Sequence, residues 1–438
     1  MQLDYGEKNI NIPFPVENID CTVTSRAADI LPESSIPEQV SHALEHPIGC
    51  SRLEERIHPN ERVCILVSDV TRLWQCTAEY MPMLVNRINA CGVPDENTLI
   101  IVAVGTHRSQ TPEEFERIVG SEVVRRVRVI NHDCDDMEHL RCVGQTPSGN
   151  EVYLNSYALD CVRLILTGGT VLHFLAGFGG GAKSIIPGIA SRDTVNYNHN
   201  LALNQGFGSG IHPLVRSGSM DGNPLREDID AGAALISIDF MINVVTNERG
   251  QIVRVFAGDV FQAHRKAAEY IREMYTVPVK RRVPLLFVSG GGFPKDINLR
   301  QTAKSLHCAL SMAEESSTII LAAECRDGFG DEQIRRQIMD FSDMRERELD
   351  LRSHFTIGAF VGFYFTEVAE KHHVILITSV PAEWFRNTKI HVSATAEEAL
   401  RLAEQLNGGN RRHARGAFAR RRKCAAGGGV RGPIMCKT

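Results

Sequence analysis

The stretch from residue 63 to residue 72, VCILVSDVTR, decides how this chain is expected to fold. A short run of only apolar residues is typical of a strand that is buried on both faces, as in a parallel sheet. Polar and charged residues follow at once, and the next such strand, Leu99–Val104, leads into the sequence GTHR at 105–108. Because ligands of open α/β sheets bind beyond the carboxyl ends of the strands, the stretch predicts a parallel sheet with a site at that edge.

Similar strands alternate with amphipathic helices along most of the chain. The predicted strands are Val63–Val67, Leu99–Val104, Val127–Ile130, Leu164–Leu166, Leu285–Val288, Ile319–Ala323 and Val374–Thr378. The predicted helices lie around Ala78–Ala90, Pro112–Val124, Gln301–Glu314 and Asp331–Glu348. This alternation indicates an α/β fold with mainly parallel sheets flanked by helices.

The strands fall into two sets, and a charged helix with a linker near residues 255–283 separates them. We therefore expect an N-terminal α/β domain over 1–278 and a C-terminal α/β domain over 283–408, with the active site in the cleft between them. Residues 409–438 hold nine Lys or Arg and no Asp or Glu. A tail so rich in Gly and Arg is typical of disordered segments.

Composition excludes several classes of protein. The chain has 438 residues, of which 43% are apolar and 23% charged, as in an ordinary globular protein. It lacks a run of about 18 apolar residues that could span a membrane, and its N-terminus has no apolar core of a signal peptide. Twelve cysteines without a CxxC pair argue against a zinc ribbon and favour a cytoplasmic location. The acidic body argues against binding of nucleic acid.

The segment from 173 to 199, HFLAGFGGGAKSIIPGIASRDTVNYNH, contains the most unusual pattern. Glycine costs conformational entropy on folding, so the turn Gly179–Gly181 predicts a backbone that approaches a ligand closely, with Lys183 aimed at it. The pattern is not a P-loop, because Ala182 separates the last glycine from the lysine. The turn could still offer free N–H groups to a phosphate. The alternative is a tight turn with a solvated lysine.

Three histidines and two basic residues extend this candidate site. His107, His173 and His199 follow strands or helices, and the chain has no HExxH or HxH zinc pattern. Two of them could form an acid–base pair on opposite sides of a substrate carbon, and the third could bind a metal. Each alone could equally be a structural histidine. Arg72 and Lys304 could clamp a small carboxylate, or each could form a surface ion pair.

Five ordered motifs resemble those of the nickel-dependent lactate racemases, also called the nickel-pincer 2-hydroxyacid racemase/epimerase family. They are DVTR at 69–72, GTHR at 105–108, HFLAGFGGGAKSIIPG at 173–188, NHN at 198–200 and DINLRQTAK at 296–304. The likeness extends over about residues 5–405. It implies an isomerase that inverts C2 of a 2-hydroxyacid by reversible hydride transfer.

The resemblance also implies a cofactor. The family carries nickel in a pyridinium-3-thioamide-5-thiocarboxylic acid mononucleotide, which holds the metal through one carbon and two sulfurs. Lys183 matches the lysine that forms the thioamide, and His199 matches the residue that completes the nickel coordination. Asp69 and the turn Gly179–Gly181 would hold the ribose and phosphate. In the family, separate maturation proteins install this cofactor.

The resemblance assigns the chemistry to His107 and His173. One of them deprotonates the substrate hydroxyl while hydride leaves the adjacent carbon, and the other returns a proton after hydride has come back to the opposite face. Arg72, Gln301 and Lys304 match residues that bind the carboxylate and orient the substrate. The expected partners are a small 2-hydroxyacid and the maturation proteins, with no nucleic acid and no membrane.

The chain departs from the family pattern in three places. Arg300 precedes Gln301 where the family usually has tyrosine, and Leu73-Trp74-Gln75 replaces a proline-rich continuation. The extra arginine predicts that Arg300 helps bind a substrate larger or more anionic than lactate, such as a sugar acid or a dicarboxylate. Residues 409–438 lack the apolar strand with which the family closes, which predicts a disordered or non-native tail from a shifted reading frame.

Two other functions stay open at this point. The chain could be a non-catalytic carrier of the nickel cofactor, or a 2-hydroxyacid oxidoreductase on the same fold. A carrier would need Lys183 and His199 but no acid–base pair. The presence of both His107 and His173 therefore favours the racemase.

Overall fold

The computed structural model describes residues 2–23, 27, 29–277, 281–407 and 416–419. Its contacts divide the chain into two compact units. The first, called the central unit below, consists of the described residues within 27–202 and 214–273. The second, called the C-terminal unit, consists of those within 1–26, 203–213 and 274–438.

The strands, in chain order, are β1 (Gln2–Tyr5), β2 (Lys8–Asn11), β3 (Ile19–Val23), β4 (Val63–Val67), β5 (Thr98–Val102), β6 (Arg128–Asn131), β7 (Leu140–Gln145), β8 (Glu151–Asn155), β9 (Arg163–Gly169), β10 (Leu172–His173), β11 (Gly177–Phe178), β12 (Phe240–Thr246), β13 (Ile252–Gly258), β14 (Val283–Ser289), β15 (Ala313–Ala322), β16 (His373–Ile377), β17 (His391–Ser393) and β18 (Gly416–Ala419).

The α-helices are α1 (Ile36–Glu45), α2 (Leu53–Arg56), α3 (Thr77–Ala90), α4 (Pro112–Val119), α5 (Ser121–Arg126), α6 (Ser156–Leu159), α7 (Arg192–Asn200), α8 (Pro224–Ala233), α9 (Val260–Tyr275), α10 (Leu299–Leu310), α11 (Glu332–Met339), α12 (Met344–Ser353), α13 (Ile357–Lys371) and α14 (Ala396–Leu406). Short 3₁₀-helices cover Val16–Asn18, Val70–Gln75, Asp95–Asn97, Met137–His139, Gly181–Ser184 and Ala382–Phe385.

The main sheet of the central unit confirms the predicted parallel α/β arrangement. Its strand order is β13-β12-β9-β4-β5-β6, and its neighbours are parallel except for the antiparallel pair β12 and β13. Val63, Ile65 and Val67 of β4 share an apolar cluster with Val40 of α1 and Leu84 of α3. Because β9, β4 and β5 are adjacent and parallel, the segments that follow them begin at one edge of the sheet.

The main sheet of the C-terminal unit is parallel throughout, with the order β17-β16-β15-β14-β18-β3. The predicted strand Leu285–Val288 lies within β14, and the predicted strand Val374–Thr378 coincides with β16 except for its last residue, Thr378. The helix α10, which follows β14, carries three of the predicted substrate-binding residues. Both units thus have strands that alternate with helices, as the apolar runs predict.

The division of the chain differs from the predicted one in two segments. The described residues within 1–26 and residues 203–213 belong to the C-terminal unit, although the predicted N-terminal domain covers 1–278. The physical reason for the first segment is burial of apolar surface. Leu3 and Ile12 belong to an apolar cluster that also contains Leu285 and Phe287 of β14. The second segment, 203–213, is bound to α12 by hydrogen bonds. The backbone N–H groups of Gly208 and Gly210 donate to the two carboxylate oxygens of Glu348.

The predicted tail is corrected at one segment. Gly416–Ala419 forms β18, which pairs in parallel with β14 on one side and β3 on the other. The expectation that 409–438 lacks a strand is therefore wrong for these four residues, because their backbone N–H and C=O groups complete the ladder between two neighbours. The other residues of the predicted tail lie outside the described part of the chain.

Two predicted helices are each divided into two. Gly120 ends α4 with a positive φ of 92°, which glycine tolerates at little steric cost, and α5 begins directly after it. Asp343 caps the start of α12 by accepting from the N–H of Arg345, so the predicted helix 331–348 is divided between α11 and α12. Among the described helices, none is long and apolar enough to cross a membrane.

Candidate active site

Asp69 lies two residues beyond β4 and caps the 3₁₀-helix Val70–Gln75. Its Oδ1 atom accepts a hydrogen bond from the backbone N–H of Thr71 at 2.8 Å and a second from the Thr71 hydroxyl. A side-chain oxygen at this position satisfies an N–H group that the helix start leaves unpaired. The carboxylate is only 6% exposed. Its orientation is thus fixed through one oxygen, which leaves Oδ2 for another partner.

That partner is His107, one of the two predicted catalytic residues. The Nδ1 atom of His107 lies 2.6 Å from Asp69 Oδ2, while 55% of the histidine side chain is exposed. Burial raises the pKa of Asp69, but the hydrogen bonds from His107 and Thr71 outweigh it, so the pKa lies below its ordinary value. Since a carboxylate can only accept, Nδ1 carries the proton and Nε2 of the neutral ring keeps its lone pair. This is the orientation that a general base requires.

Arg72 lies on the same 3₁₀-helix as Thr71, at the edge of the sheet where β4 ends. Its Nη1 donates to the Thr71 hydroxyl oxygen at 2.8 Å, and the side chain is exposed. A cavity of about 300 Å³ lies beside Asp69 and Arg72, and its lining also includes Glu79 and Arg117 but not His107. An anchored guanidinium at the rim of a cavity is suited to bind a carboxylate through two parallel hydrogen bonds. The structure thus brings Arg72, Asp69 and His107 together, as the strand ends predict.

His173 ends β10, and a tight turn connects it to β11. Its Nδ1 atom accepts hydrogen bonds from the backbone N–H groups of Leu175 at 3.2 Å and Ala176 at 3.1 Å. The ring stacks on Phe174, with 5.6 Å between the ring centroids. The turn therefore holds the imidazole in one orientation.

The glycine turn between His173 and Lys183 does not match the expectation that its N–H groups are free to bind a phosphate. The N–H of Gly179 donates to the carbonyl of Val171 at 2.7 Å, and that of Gly181 donates to Asn243 Oδ1 at 2.8 Å. Two of the three N–H groups are thus used inside the protein, so the turn is not an open phosphate cradle. A Cβ atom would lie 2.2 Å from Asn243 Oδ1 at Gly180 and 2.6 Å from the ring of His264 at Gly181. The glycines therefore let the backbone of the turn lie close to two buried side chains, Asn243 and His264, rather than to a ligand.

Replacing Gly181 by alanine is expected to lower the free energy of unfolding by roughly 2–5 kcal/mol. Gly181 has a φ of +60°, which costs a residue with a side chain roughly 1–2 kcal/mol, and overpacking against His264 adds about 1–3 kcal/mol. Gly250→Ala is the matched control, because Gly250 has a φ of +79° and no atom within 4 Å of the added Cβ. Denaturant unfolding of both variants measures the difference. Equal losses would show that the contact with His264 contributes nothing.

Lys183 lies on the 3₁₀-helix Gly181–Ser184 directly after this turn. Burial, with the nearby charges of Arg226 and Arg72, lowers the pKa of its amine to about 7. An ordinary lysine has a pKa of about 10.4 and is neutral to less than about 0.1% at pH 7. Lys183 is therefore far more nucleophilic near neutrality than an ordinary lysine, because only the neutral amine can attack an electrophile.

Acylation of Lys183 is expected to show this directly. The neutral fraction rises as the pH passes upward through the pKa, so labelling by a small acylating reagent should reach half its maximal rate near pH 7. Peptide mapping by mass spectrometry over pH 5–10 would measure the rate at each lysine. A midpoint for Lys183 that coincides with the midpoints of the exposed lysines would contradict the lowered pKa.

His199 lies in the last turn of α7, and its orientation suits a metal ligand. Its Nδ1 atom is 2.8 Å from the carbonyl oxygen of Val195, which can only accept, so Nδ1 carries the proton and the lone pair is on Nε2. Burial, with the nearby charge of Lys183, lowers the pKa of the ring to about 4 and keeps it neutral. Histidine ligands in metal sites characteristically donate their second N–H to such a carbonyl.

Arg226 is a candidate that the sequence analysis missed. It is only 1% exposed, and its Nε donates to Asp230 Oδ2 at 2.9 Å while Nη2 donates to His264 Nδ1 at 3.2 Å. No described residue accepts a hydrogen bond from its Nη1. His264 in turn donates from Nε2 to the carbonyl of Gly179 at 2.8 Å. The pair with Asp230, four residues along α8, is an ordinary helix pattern, and the contact that distinguishes this arginine is with His264, which is distant along the chain.

The other predicted substrate-binding residues lie in the C-terminal unit, on the first turns of α10. Lys304 Nζ donates to Gln301 Oε1 at 2.8 Å. Arg300 is exposed, and its Nη1 lies 3.2 Å from Asp331 Oδ2, so a carboxylate already offsets part of its charge. Asn298 caps this helix by accepting from the N–H of Gln301. The predicted location of the site between the domains stays a prediction.

Comparison with known proteins gives matches over most of the chain. Residues 5–210 match the model of the lactate racemase N-terminal domain, and residues 280–414 match that of the lactate racemase C-terminal domain. A lactate racemase from Lactiplantibacillus plantarum is 31% identical over 414 residues, which cover 93% of this chain and 95% of the relative. One from Thermoanaerobacterium thermosaccharolyticum is 29% identical over 411 residues, covering 93% and 94%.

Solved structures agree with these matches. The lactate racemase apoprotein from Thermoanaerobacterium thermosaccharolyticum superposes with a TM-score of 0.80 at 28% identity, covering 96% of this chain and 97% of that one. A protein from Thermotoga maritima has a TM-score of 0.57 at 21% identity, with coverages of 87% and 95%, and shows the fold alone. The α/β fold and its relatives define an isomerase of the racemase class. The chain belongs to the lactate racemase family.

Proposed function

We propose that this chain inverts C2 of a 2-hydroxyacid by reversible hydride transfer, using a nickel-pincer nucleotide attached covalently to Lys183. The observation that carries the proposal is that the central unit contains both a lysine with an unusually low pKa and a buried, neutral histidine close enough to sense its charge. Lys183 has an amine with a pKa of about 7, and the charge of that amine acts on His199, whose Nε2 keeps its lone pair. A covalent anchor and a metal ligand are the two protein groups that this cofactor needs.

The residues around Lys183 and His199 fit such a group. Among the described residues, one set of three potential metal ligands lies together, Asp133, Cys134 and Asp135, and His199 is not part of it. Nickel at His199 would thus need further donor atoms from outside the described residues, and soft sulfur donors with one imidazole suit this metal. The buried Nη1 of Arg226 fits a nearby anionic group of the mononucleotide. When bound, the cofactor would accept hydride from C2 of the substrate and return it.

The chain's own residues would bind the substrate and move its proton. Nε2 of His107 would accept the hydroxyl proton, with Asp69 fixing the ring from the other side. We propose that Arg72 binds the substrate carboxylate, and that Gln301 and Lys304 help to orient it. Holding the reacting groups in this way makes the proton transfer effectively unimolecular.

The substrate itself is proposed to be larger or more anionic than lactate, because Arg300 stands where the family usually has tyrosine. Arg300 lies close to Asp331, so the substrate would contact an arginine–carboxylate pair rather than an isolated positive charge. A hydroxyl-bearing acid could bind both members of the pair, since the arginine donates and the carboxylate accepts.

A screen of single-enantiomer 2-hydroxyacids tests the proposal. The chain, co-expressed with the maturation proteins so that Lys183 is loaded, would be incubated with lactate, sugar acids and hydroxy-dicarboxylates, and the products would be resolved by chiral chromatography. Inversion at C2 is expected for at least one of the larger acids. Turnover of lactate alone would refute the larger substrate, net formation of a 2-keto acid would indicate an oxidoreductase, and loading without turnover would indicate a carrier.

A further inference from the structure

We infer that the buried Nη1 of Arg226 recognises the anionic acyl group that is to be joined to Lys183. The unloaded chain would then select a pyridine mononucleotide that carries a carboxylate over one that carries a neutral carboxamide. The inference rests on the proposed function, in which Lys183 becomes the covalent anchor, and it names the chemical group by which the incoming nucleotide is chosen. It concerns the step before attachment, so binding can be measured without the loaded enzyme.

The guanidinium of Arg226 is fixed at one end and unpaired at the other. Its Nε donates to Asp230 Oδ2 at 2.9 Å, and its Nη2 lies 2.7 Å from Asp230 Oδ1. Nη2 also donates to Nδ1 of His264 at 3.2 Å, and that ring is held by its own hydrogen bond to the carbonyl of Gly179. Nη1 has two N–H groups, and within the described part of the chain neither has an acceptor. The arginine is thus held in place with two donors left for a ligand.

The surroundings of Arg226 favour an anion as that ligand. The residue is only 1% exposed, and a buried N–H group without an acceptor has lost its hydration with no hydrogen bond in return. Arg226 also lies in the first turn of α8, where the helix dipole disfavours a cation. An anion that accepts from Nη1 would remove both costs, whereas a neutral carbonyl would remove only the first.

Arg226 is a neighbour of Lys183. The helix α8 packs against the 3₁₀-helix Gly181–Ser184, which carries the lysine. The ring of His264, to which Arg226 donates, lies against Gly181, where an added Cβ would be 2.6 Å from it. Burial lowers the pKa of the Lys183 amine to about 7, and the charge of Arg226 adds to this effect. The free donors therefore belong to the same part of the central unit as the proposed anchor.

This neighbourhood indicates which part of a nucleotide would contact Arg226. An amine that attacks an acyl carbon must first lie about 3–3.5 Å from it. The oxygen or sulfur atoms on that carbon then lie beside Lys183, whereas the phosphate is separated from them by the pyridine ring and the ribose. A guanidinium next to the amine would therefore bind the acyl group. Hydrogen bonds to an ionised acceptor are roughly twice as strong as those to a neutral one, so an ionised acyl group would be preferred.

Calorimetric titration of the full-length, unloaded chain tests this preference with two matched probes, nicotinic acid mononucleotide and nicotinamide mononucleotide. The two share the pyridinium ring, the ribose and the phosphate, and they differ only in a carboxylate against a carboxamide. We expect the acid to bind about 5–10-fold more tightly, the difference between a charged and a neutral hydrogen bond. Equal affinities, or no measurable binding of the acid, would overturn the inference.

Arg226→Gln and Lys183→Met assign the preference to one of the two cations. Arg226→Gln should weaken binding of the acid and bring the two affinities together, while Lys183→Met should keep the preference. If Arg226→Gln weakens both nucleotides equally, Arg226 binds the phosphate that they share, and the inference is wrong. It is equally wrong if Lys183→Met abolishes the preference.

Asp230→Asn tests the same point without removing the arginine, in case Arg226→Gln does not fold. The side chain of Asp230 is 30% exposed, and the amide oxygen can still accept from Nε of Arg226. Because the exchange removes the charge that offsets Arg226, it should widen the preference for the acid by roughly 2-fold or more. An unchanged or narrower preference would contradict the role of Arg226.

Arg265→Gln is the matched control for charge. Arg265 follows His264 in the sequence, and its side chain is 51% exposed and pairs with Asp221 at 2.9 Å. The exchange removes one positive charge near the site but no buried donor, so both affinities should stay near those of the wild type. Loss of the preference here would show that the general field of the unit, and not Nη1, selects the acid.

The outcomes also separate this inference from the proposed function. A chain that prefers the acid through Arg226 but inverts no 2-hydroxyacid after loading would refute the proposed function alone. A chain that racemises a 2-hydroxyacid but binds both nucleotides equally would refute this inference alone.

Discussion

Replacing Lys183 by arginine is expected to abolish covalent loading, and with it the racemase activity. Arginine keeps a positive charge on a side chain of similar length, but its guanidinium stays protonated and cannot act as a nucleophile. The wild-type amine, with a pKa of about 7, is substantially neutral under physiological conditions. Intact-mass spectrometry after co-expression with the maturation proteins should show an adduct on wild-type chains and none on the variant. Turnover should fall at least about 10³-fold, toward the uncatalysed rate.

The control for this experiment is Lys266→Arg. Lys266 is an exposed residue of α9 whose Nζ pairs with Glu269 at 2.9 Å, so the exchange should leave both adduct and turnover unchanged. A wild-type-like adduct on Lys183→Arg would place the attachment elsewhere in the chain. Turnover without any adduct would instead mean that the cofactor acts without a covalent bond to Lys183.

The sequence predicts the framework of this fold well because its signal is local. The run VCILV coincides with β4 from its first residue to its last, since polar residues bound it on both sides. The position of Asp69, Arg72 and His107 at one edge follows from the parallel pairing of β4 with β5. No local pattern predicts β18, because its short sequence GAFA owes its place to strands that are distant along the chain.

The interior of the candidate site depends on contacts that sequence alone does not reveal. The glycine turn predicts a close approach, and the structure contains one, but to Asn243 and His264 rather than to a phosphate. Arg226 donates a hydrogen bond to His264, which is 38 residues away in the sequence, and neither residue lies in a recognisable motif. Such pairs form only when helices and strands pack, so a single chain offers no spacing rule that would find them.

Replacing His107 by glutamine is expected to lower kcat/KM by about 10²–10⁴-fold, the range over which a general acid or base contributes. Glutamine can donate to Asp69 in place of Nδ1–H, so the carboxylate keeps a partner, but it offers no group that can hold a proton. Loading of Lys183 and binding of nickel should persist, because those functions are proposed for residues elsewhere in the central unit. Racemisation rates together with adduct mass and metal content measure the three effects separately.

His139→Gln provides the comparison, since its ring pairs with Asp136 as His107 does with Asp69, at a similar exposed position. If the loss in His107→Gln came only from breaking an Asp–His hydrogen bond and loosening the fold, both variants would lose similar amounts of activity and stability. If His107 moves the substrate proton, only His107→Gln should lose turnover, although each variant loses a ring that pairs with a carboxylate. Near-wild-type turnover in His107→Gln would assign the proton transfer to another residue.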